Sequence, residues 1–114
     1  DFILAHGTEA LQLPGGAVQE RSVAELQELL ASAAAARGST LPMVVANPDL
    51  VTVDGDDLVT MPGTLARTYA QAGGVVRLMG KPDPVIYSAC ADILQLPPHD
   101  ILAVGDSLEH DIAG

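Results

Sequence analysis

The chain has 114 residues, of which 48% are hydrophobic, and its 15 acidic and 5 basic residues give a formal net charge of −10. The apolar content argues against intrinsic disorder, and the longest apolar run, residues 29–36, is too short to span a bilayer. Such an acidic surface repels phosphate backbones and anionic lipids, which argues against nucleic-acid and membrane partners. The single cysteine, Cys90, excludes an internal disulfide. We therefore expect a soluble protein of a reducing compartment, either the cytoplasm or an organelle matrix.

Both ends of the sequence indicate part of a longer protein. The chain opens at Asp1 on an apolar stretch, residues 2–5, that is typical of a buried strand. Residues 107–114 begin a helical pattern without completing it. We therefore expect any activity to belong to the longer protein.

The first predicted elements are a strand and a long helix. The apolar residues 2–5 predict the strand, and a second loop signal follows at residues 13–16. Ser22 and Glu25 have the spacing of a capping box, and Gly38 after Arg37 is a typical helix end. The predicted buried face of this helix consists of Val23, Leu26, Leu29, Leu30 and Ala33.

The middle of the chain predicts a buried strand, a hairpin and a second helix. Residues 43–46 form a continuous apolar run, as expected for a strand covered on both faces. Residues 50–61 place Gly55 between two acidic residues in a tight turn, which indicates a hairpin. Pro62 and Gly63 begin a helix that we expect to end near Ala72.

Two strands flank the last complete helix. Residues 75–79 and residues 101–104 are apolar runs that predict strands. Between them, Asp83 is a predicted N-cap before Pro84, and the helix continues to about Gln95. The alternation of strands and helices predicts an α/β fold with a largely parallel sheet.

Polar residues follow several of these strands, where parallel sheets bind their ligands. Asn47 and Asp49 follow the run at 43–46, Lys81 follows 75–79, and Asp106 follows 101–104. If the last two strands are parallel neighbours, their helix is a right-handed crossover, and Lys81 and Asp106 share one sheet edge. A cation and a carboxylate at such an edge suit a phosphate and a divalent metal.

The segment from Gly105 to Asp111 carries two carboxylates in a loop and a first helical turn. Asp106 and Asp111 are spaced so that both can hold Mg²⁺, directly and through water. The alternative is structural: Asp106 caps a helix, and Asp111 is a solvated charge favoured by the helix dipole. The spacing alone does not separate the two. The letters of residues 105–108 also match the GDSL esterases, with Ser107 as nucleophile, but the downstream Asp-x-x-His of that family does not occur.

In combination, these motifs resemble the haloacid dehalogenase (HAD) superfamily. Residues 80–84 (GKPDP) and 102–107 (LAVGDS), with Asp111, resemble its third and fourth motifs, and residues 46–49 (ANPD) are similar to subclass IIA. That subclass contains the phosphoglycolate, nucleotide and pyridoxal phosphate phosphatases. The resemblance implies a HAD-like Rossmannoid parallel sheet with an α/β cap, both incomplete here. Residues 1–79 would be a partial cap domain, and residues 80–114 a core segment.

The resemblance also implies a reaction and roles for individual residues. It implies Mg²⁺-dependent hydrolysis of a small phosphorylated metabolite through an aspartyl phosphate, in which Lys81 steadies the phosphate. Asp106 would ligate Mg²⁺ with Asp111 in support, and Asn47 and Asp49 would face the substrate, although turn formation also explains them. A homo-oligomer through the cap is compatible with the family pattern.

The family's nucleophile, the first Asp of a DxD motif, has no match in this chain. Asp54 and Asp56 have the letters of that motif but lie in the predicted hairpin. We therefore expect this segment to be inactive alone. The alternative is a catalytically inactive HAD-fold protein kept for binding or assembly.

Overall fold

The computed structural model describes residues 1–105 and residue 108. The chain divides into two compact units, Asp1–Leu78 and Met79–Gly114. Two 3-10 turns, Gly38–Thr40 and Pro98–Asp100, accompany the helices and strands. The helices and strands are β1 (Ile3–Ala5), β2 (Ala10–Gln12), β3 (Val18–Glu20), α1 (Val23–Arg37), β4 (Met43–Val45), β5 (Val51–Asp54), β6 (Asp57–Thr60), α2 (Pro62–Gln71), β7 (Val76–Leu78) and α3 (Pro84–Leu94).

A three-stranded parallel sheet forms the centre of the first unit. Its order is β1-β4-β7, with Val45 of the central strand opposite Ala5 on one side and Leu78 on the other. Met43 and Val45 are fully buried, whereas Val44 is half-buried. Successive side chains of a strand point to opposite faces, so the central strand is covered completely on one face and partly on the other. At the edge of the covered face, Leu78 is 51% exposed. The predicted parallel α/β architecture is confirmed.

The core lies between this sheet and the two helices of the first unit. Helix α2 contacts β4 and packs against α1. Tyr69 of α2 is fully buried, and its hydroxyl donates to the Leu41 carbonyl at 2.5 Å, which satisfies the only polar atom of that side chain. No helix in the described part of the chain is both long enough and apolar enough to cross a membrane. The buried cluster consists of Ala5, Ala34, Met43, Val45, Ala66 and Tyr69.

Helix α1 begins and ends where the sequence predicts. The Ser22 hydroxyl accepts from the Glu25 backbone N–H at 3.3 Å, and Glu25 Oε2 accepts from the Ser22 backbone N–H at 2.8 Å. Gly38 ends the helix with a φ of 48°, a conformation that favours glycine.

The predicted buried face of α1 is wrong at one position. Leu26 is buried and Leu30 partly buried against the core, but Leu29 is 46% exposed. Leu29 lies on the far side of Leu26 from Leu30 and Ala34, because successive helical residues turn by about 100°. That rotation carries Leu29 away from the core.

Two antiparallel hairpins extend the first unit. The predicted hairpin forms from β5 and β6, with Asp54 opposite Asp57 and Gly55 at a φ of 63° in the turn. A second hairpin, β2 and β3, was not predicted. Its strands have three residues each and lack alternating apolar residues, so only the turn at residues 13–16 signalled it.

The last predicted strand is wrong. Residues 101–104 form no strand, and Leu102 and Val104 are 88% and 90% exposed. A strand needs a neighbour for its N–H and C=O groups, and the described residues of the second unit contain only helical elements. The expected helical crossover between two neighbouring parallel strands therefore does not form.

Cys90 shares a helical face with Ile86 and Ile93, a pattern that predicts a buried thiol, and this prediction is wrong. Helix α3 has no buried residue, and Cys90 is exposed, as is Ile93 on the same predicted face. A helix buries its apolar side only against another layer of structure. Within residues 79–105, only a 3-10 turn accompanies α3.

We predict that Ser22→Ala lowers the free energy of unfolding by about 1 kcal/mol, because the Glu25 backbone N–H loses its acceptor. Urea titration measures the change. Ser32→Ala is the matched control, since Ser32 is exposed inside the same helix and alanine is the better helix former. Equal stability changes in the two variants would contradict the capping interaction.

The capping box also predicts a pH dependence. Hydrogen bonds from the Ser22 backbone and hydroxyl lower the pKa of Glu25 below its ordinary value of 4.5. The box therefore contributes stability above that value, and the contribution is lost as the pH falls through the lowered pKa. Unfolding of the native protein and of Glu25→Gln should differ at pH 7 and converge in acid. A difference that does not change with pH would exclude this contribution.

Candidate functional site

The loop after the central strand carries two predicted site residues, Asn47 and Asp49. The side-chain oxygen Oδ1 of Asn47 accepts from the Asp49 backbone N–H at 2.9 Å, which closes an Asx turn. Asn47 is half-buried and Asp49 is exposed. The turn explanation for these residues is therefore confirmed. It leaves the Asp49 carboxylate accessible at the carboxyl end of β4.

Backbone contacts fix this loop to the beginning of α2. The Gly63 N–H donates to the Asp49 carbonyl at 2.9 Å. The next carbonyl, that of Leu50, accepts from the Met61 N–H at 2.9 Å and from the Thr64 hydroxyl at 2.7 Å. Three donors thus hold two successive carbonyl groups, so the loop has one defined path along the helix terminus.

The loop after β1 lies at the same edge of the sheet. Strands β1 and β4 are parallel neighbours, and the Ala46 N–H donates to the Ala5 carbonyl at 3.1 Å, just beyond their paired residues. Thr8 is buried and donates to the Thr60 carbonyl at 3.1 Å, which ties this loop to the end of β6. Neither Thr8 nor Gly63 was identified from the sequence, because an isolated Thr or a Gly after Pro carries no specific motif.

Lys81 belongs to the second unit, where it occupies a turn directly before α3. The Asp83 N–H donates to the Gly80 carbonyl at 2.9 Å, and the Lys81–Pro82 peptide bond is cis. Asp83 then accepts from the Val85 N–H at 2.9 Å through its side chain, so the predicted N-cap is confirmed. The Lys81 side chain is exposed. The turn presents a cation near the start of an 11-residue helix, a location favourable to anions.

The predicted magnesium ligands, Asp106 and Asp111, lie outside the described residues. Within residues 1–105 and 108, no three His, Cys, Asp or Glu side chains are grouped so that they could hold a metal ion. The turn of the β5–β6 hairpin contains Asp54, Asp56 and Asp57, and they form no such group.

A groove of about 910 Å³ lies in the first unit between the β2–β3 hairpin, the start of α1 and β6. Three carboxylates line it, from Glu9, Glu20 and Glu25. Its Arg21 guanidinium contacts Glu25 at 3.4 Å and Gln19 at 2.8 Å. Carboxylates outnumber cations here, so the groove repels a phosphate group. It therefore does not suit the ligand that the sequence motifs predict.

Comparisons with known proteins agree with these motifs. Residues 78–114, which include Lys81, Asp106 and Asp111, match a family model described as HAD-hydrolase-like. The search of curated protein sequences gave no significant match.

The solved structures that resemble the chain include two hydrolases. One is a haloacid dehalogenase-like hydrolase from Brucella suis 1330, with 31% identity, a TM-score of 0.65, and coverage of 79% of this chain and 34% of that one. The other is the p-nitrophenyl phosphatase from Archaeoglobus fulgidus, with 21% identity, a TM-score of 0.65, and an alignment that covers 98% of this chain and 38% of that one. The chain thus spans little more than a third of these proteins. Its fold is the HAD-like α/β fold, and the family match supports its place in the haloacid dehalogenase superfamily.

Proposed function

We propose that the full-length protein is an Mg²⁺-dependent hydrolase of small phosphate monoesters, of the subclass IIA type. The family match over residues 78–114 carries this proposal, because that segment contains Lys81, Asp106 and Asp111. The similarity of the whole fold to a protein named as a p-nitrophenyl phosphatase supports a phosphate ester as the substrate class.

Lys81 is proposed to bind the phosphate group of the substrate. Its ammonium group is a compact charge on a flexible side chain, so it can follow the phosphoryl oxygens as their geometry changes during the reaction. The turn from Gly80 to Asp83 and the helix that follows give this residue a defined backbone position. A cation held there offsets negative charge that builds up on the phosphoryl oxygens.

Asp106 and Asp111 are proposed to hold Mg²⁺. Carboxylate oxygens are the ligands that this ion prefers, and Mg²⁺ keeps several of its waters in protein sites. The bound ion would neutralise charge on the phosphoryl group.

The attacking group is proposed to be an aspartate from another part of the longer protein. Its carboxylate oxygen forms a bond to phosphorus while the bond from phosphorus to the ester oxygen breaks, and the departing alkoxide takes a proton from water to leave as the alcohol. Water then hydrolyses the aspartyl phosphate, which releases phosphate and restores the carboxylate. Asp54 does not supply this group in our proposal, because it pairs with Asp57 in the hairpin.

Residues 1–79 are proposed to be a partial cap and residues 80–114 a core segment. The division of the structure into compact units between Leu78 and Met79 supports this boundary. Asn47 and Asp49 are then cap residues that contact the substrate, which their position at a sheet edge supports. A homo-oligomer formed through the cap belongs to the same proposal.

We predict that Asp106→Asn removes Mg²⁺-dependent turnover by the full-length protein. The measurement is phosphate release from a panel of phosphate monoesters, with Mg²⁺ and with excess EDTA. Asp92→Asn is the matched control, because Asp92 is an exposed carboxylate of α3 outside the proposed site. Full turnover by Asp106→Asn would refute the metal assignment.

Lys81→Ala should lower kcat/KM by about 100-fold, the scale of losing one charge-stabilising group. Arg67→Ala removes an equal charge from the exposed surface of α2 and should leave the rate unchanged. Steady-state kinetics on the best substrate of the panel compare the variants. If both retain the native kcat/KM, Lys81 does not bind the phosphate.

A further inference from the structure

We propose that Gly63 is a positioning residue for substrate binding, because its lack of a side chain permits the observed path of the loop at residues 47–49. The inference rests on the proposed function, which assigns Asn47 and Asp49 to the substrate. It adds a residue that has no functional group of its own and lies in the first turn of α2.

The loop and the helix approach each other too closely for any side chain at position 63. A Cβ atom there would overlap the Pro48 carbonyl oxygen and would lie 2.5 Å from the Asp49 carbonyl oxygen. Both are backbone atoms, so neither can rotate away as a flexible side chain does. Room for a methyl group requires movement of the loop backbone or of the start of the helix.

The same residue also attracts the loop. The Gly63 N–H donates to the Asp49 carbonyl at 2.9 Å, while Met61 and Thr64 donate to the Leu50 carbonyl. The first backbone N–H groups of a helix have no partner within the helix. Here one of them binds the loop, which links the path of the loop directly to the start of α2.

Displacement of this backbone displaces the proposed substrate contacts. The Asx turn between Asn47 Oδ1 and the Asp49 N–H spans Pro48, the residue that the added methyl group would overlap. Relief of that overlap needs a shift of about 1 Å, and misplacement on this scale can reduce catalytic efficiency by as much as about 100-fold. We expect a smaller effect for a binding contact alone, a rise in KM of about 10-fold with little change in kcat.

Gly74 provides a matched control at the other end of α2. A Cβ atom at position 74 would overlap the ring of Tyr69, and the Gly74 N–H donates to the Tyr69 carbonyl at 2.9 Å. Gly74→Ala therefore strains the same helix against the core and does not touch the loop. It separates a general loss of stability from an effect on substrate binding.

The experiment compares Gly63→Ala, Gly74→Ala, Asn47→Ala and the double variant of residues 63 and 47 in the full-length protein. Thermal unfolding, KM and kcat are measured with the best phosphate monoester of the panel. We expect both glycine variants to unfold at lower temperature, but only Gly63→Ala and Asn47→Ala to raise KM. The KM of the double variant should not exceed the higher of the two single-variant values, because Gly63 acts through the loop.

Three outcomes would overturn the inference. They are an unchanged KM in Gly63→Ala, an equal rise in KM in Gly74→Ala, and additive effects in the double variant. An unchanged KM in Asn47→Ala would instead refute substrate contact by the loop and, with it, the role of Gly63. If Gly63→Ala does not fold, Thr64→Val provides the test, because it removes one hydrogen bond to the Leu50 carbonyl without adding an atom that overlaps the loop. The inference then predicts a rise in KM of about twofold, and an unchanged KM would contradict it.

Hydrogen exchange provides a readout that is independent of activity. Gly63→Ala should accelerate exchange of the Asp49 backbone N–H, and Gly74→Ala should not. If no phosphate ester is hydrolysed, the proposed function fails on that result, and exchange alone then decides the positioning. Unchanged Asp49 exchange in Gly63→Ala would overturn it.

Discussion

Burial of the central strand β4 is the interaction on which the first unit depends. The strands of its sheet have only three residues each, so their hydrogen bonds are few. Met43 and Val45 lose all solvent exposure, and the fully buried Tyr69 belongs to the same cluster. Burial of a large apolar side chain stabilises a fold by about 1.5–3 kcal/mol, more than a typical hydrogen bond contributes. Side-chain packing therefore holds β1 and β7 beside β4.

The sequence predicted the elements whose signals are local. The capping box at Ser22, the turn at Gly55 and the N-cap at Asp83 each depend on a few neighbouring residues, and each forms as expected. The strand predicted at residues 101–104 does not form, because an apolar run becomes a strand only when another strand pairs with it. The β2–β3 hairpin was not predicted, because strands of three residues are too short to show an alternation of apolar and polar residues.

The sequence predicted which residues belong to the candidate site, but not the residues that hold them in place. Lys81 and the Asn47 loop stand out because their motifs resemble those of a family, and polar residues after a strand indicate a ligand edge. Gly63 and Thr8 act through tertiary contacts with residues more than ten positions away, to Asp49 and Thr60. No spacing of residues in the sequence predicts such a contact, because the contact forms only when the sheet and the helix have packed.

The β5–β6 hairpin combines an apolar surface with a negatively charged tip. Val53 and Leu58 face each other across the strands and are 68% and 74% exposed, while Asp54 and Asp57 form the next pair toward the turn. Because successive side chains of a strand point to opposite faces, these two carboxylates lie on the face opposite Val53 and Leu58. Like charges in directly opposed positions repel, which weakens the hairpin at its tip. Added salt screens that repulsion, so the closed tip would become more stable as the ionic strength rises.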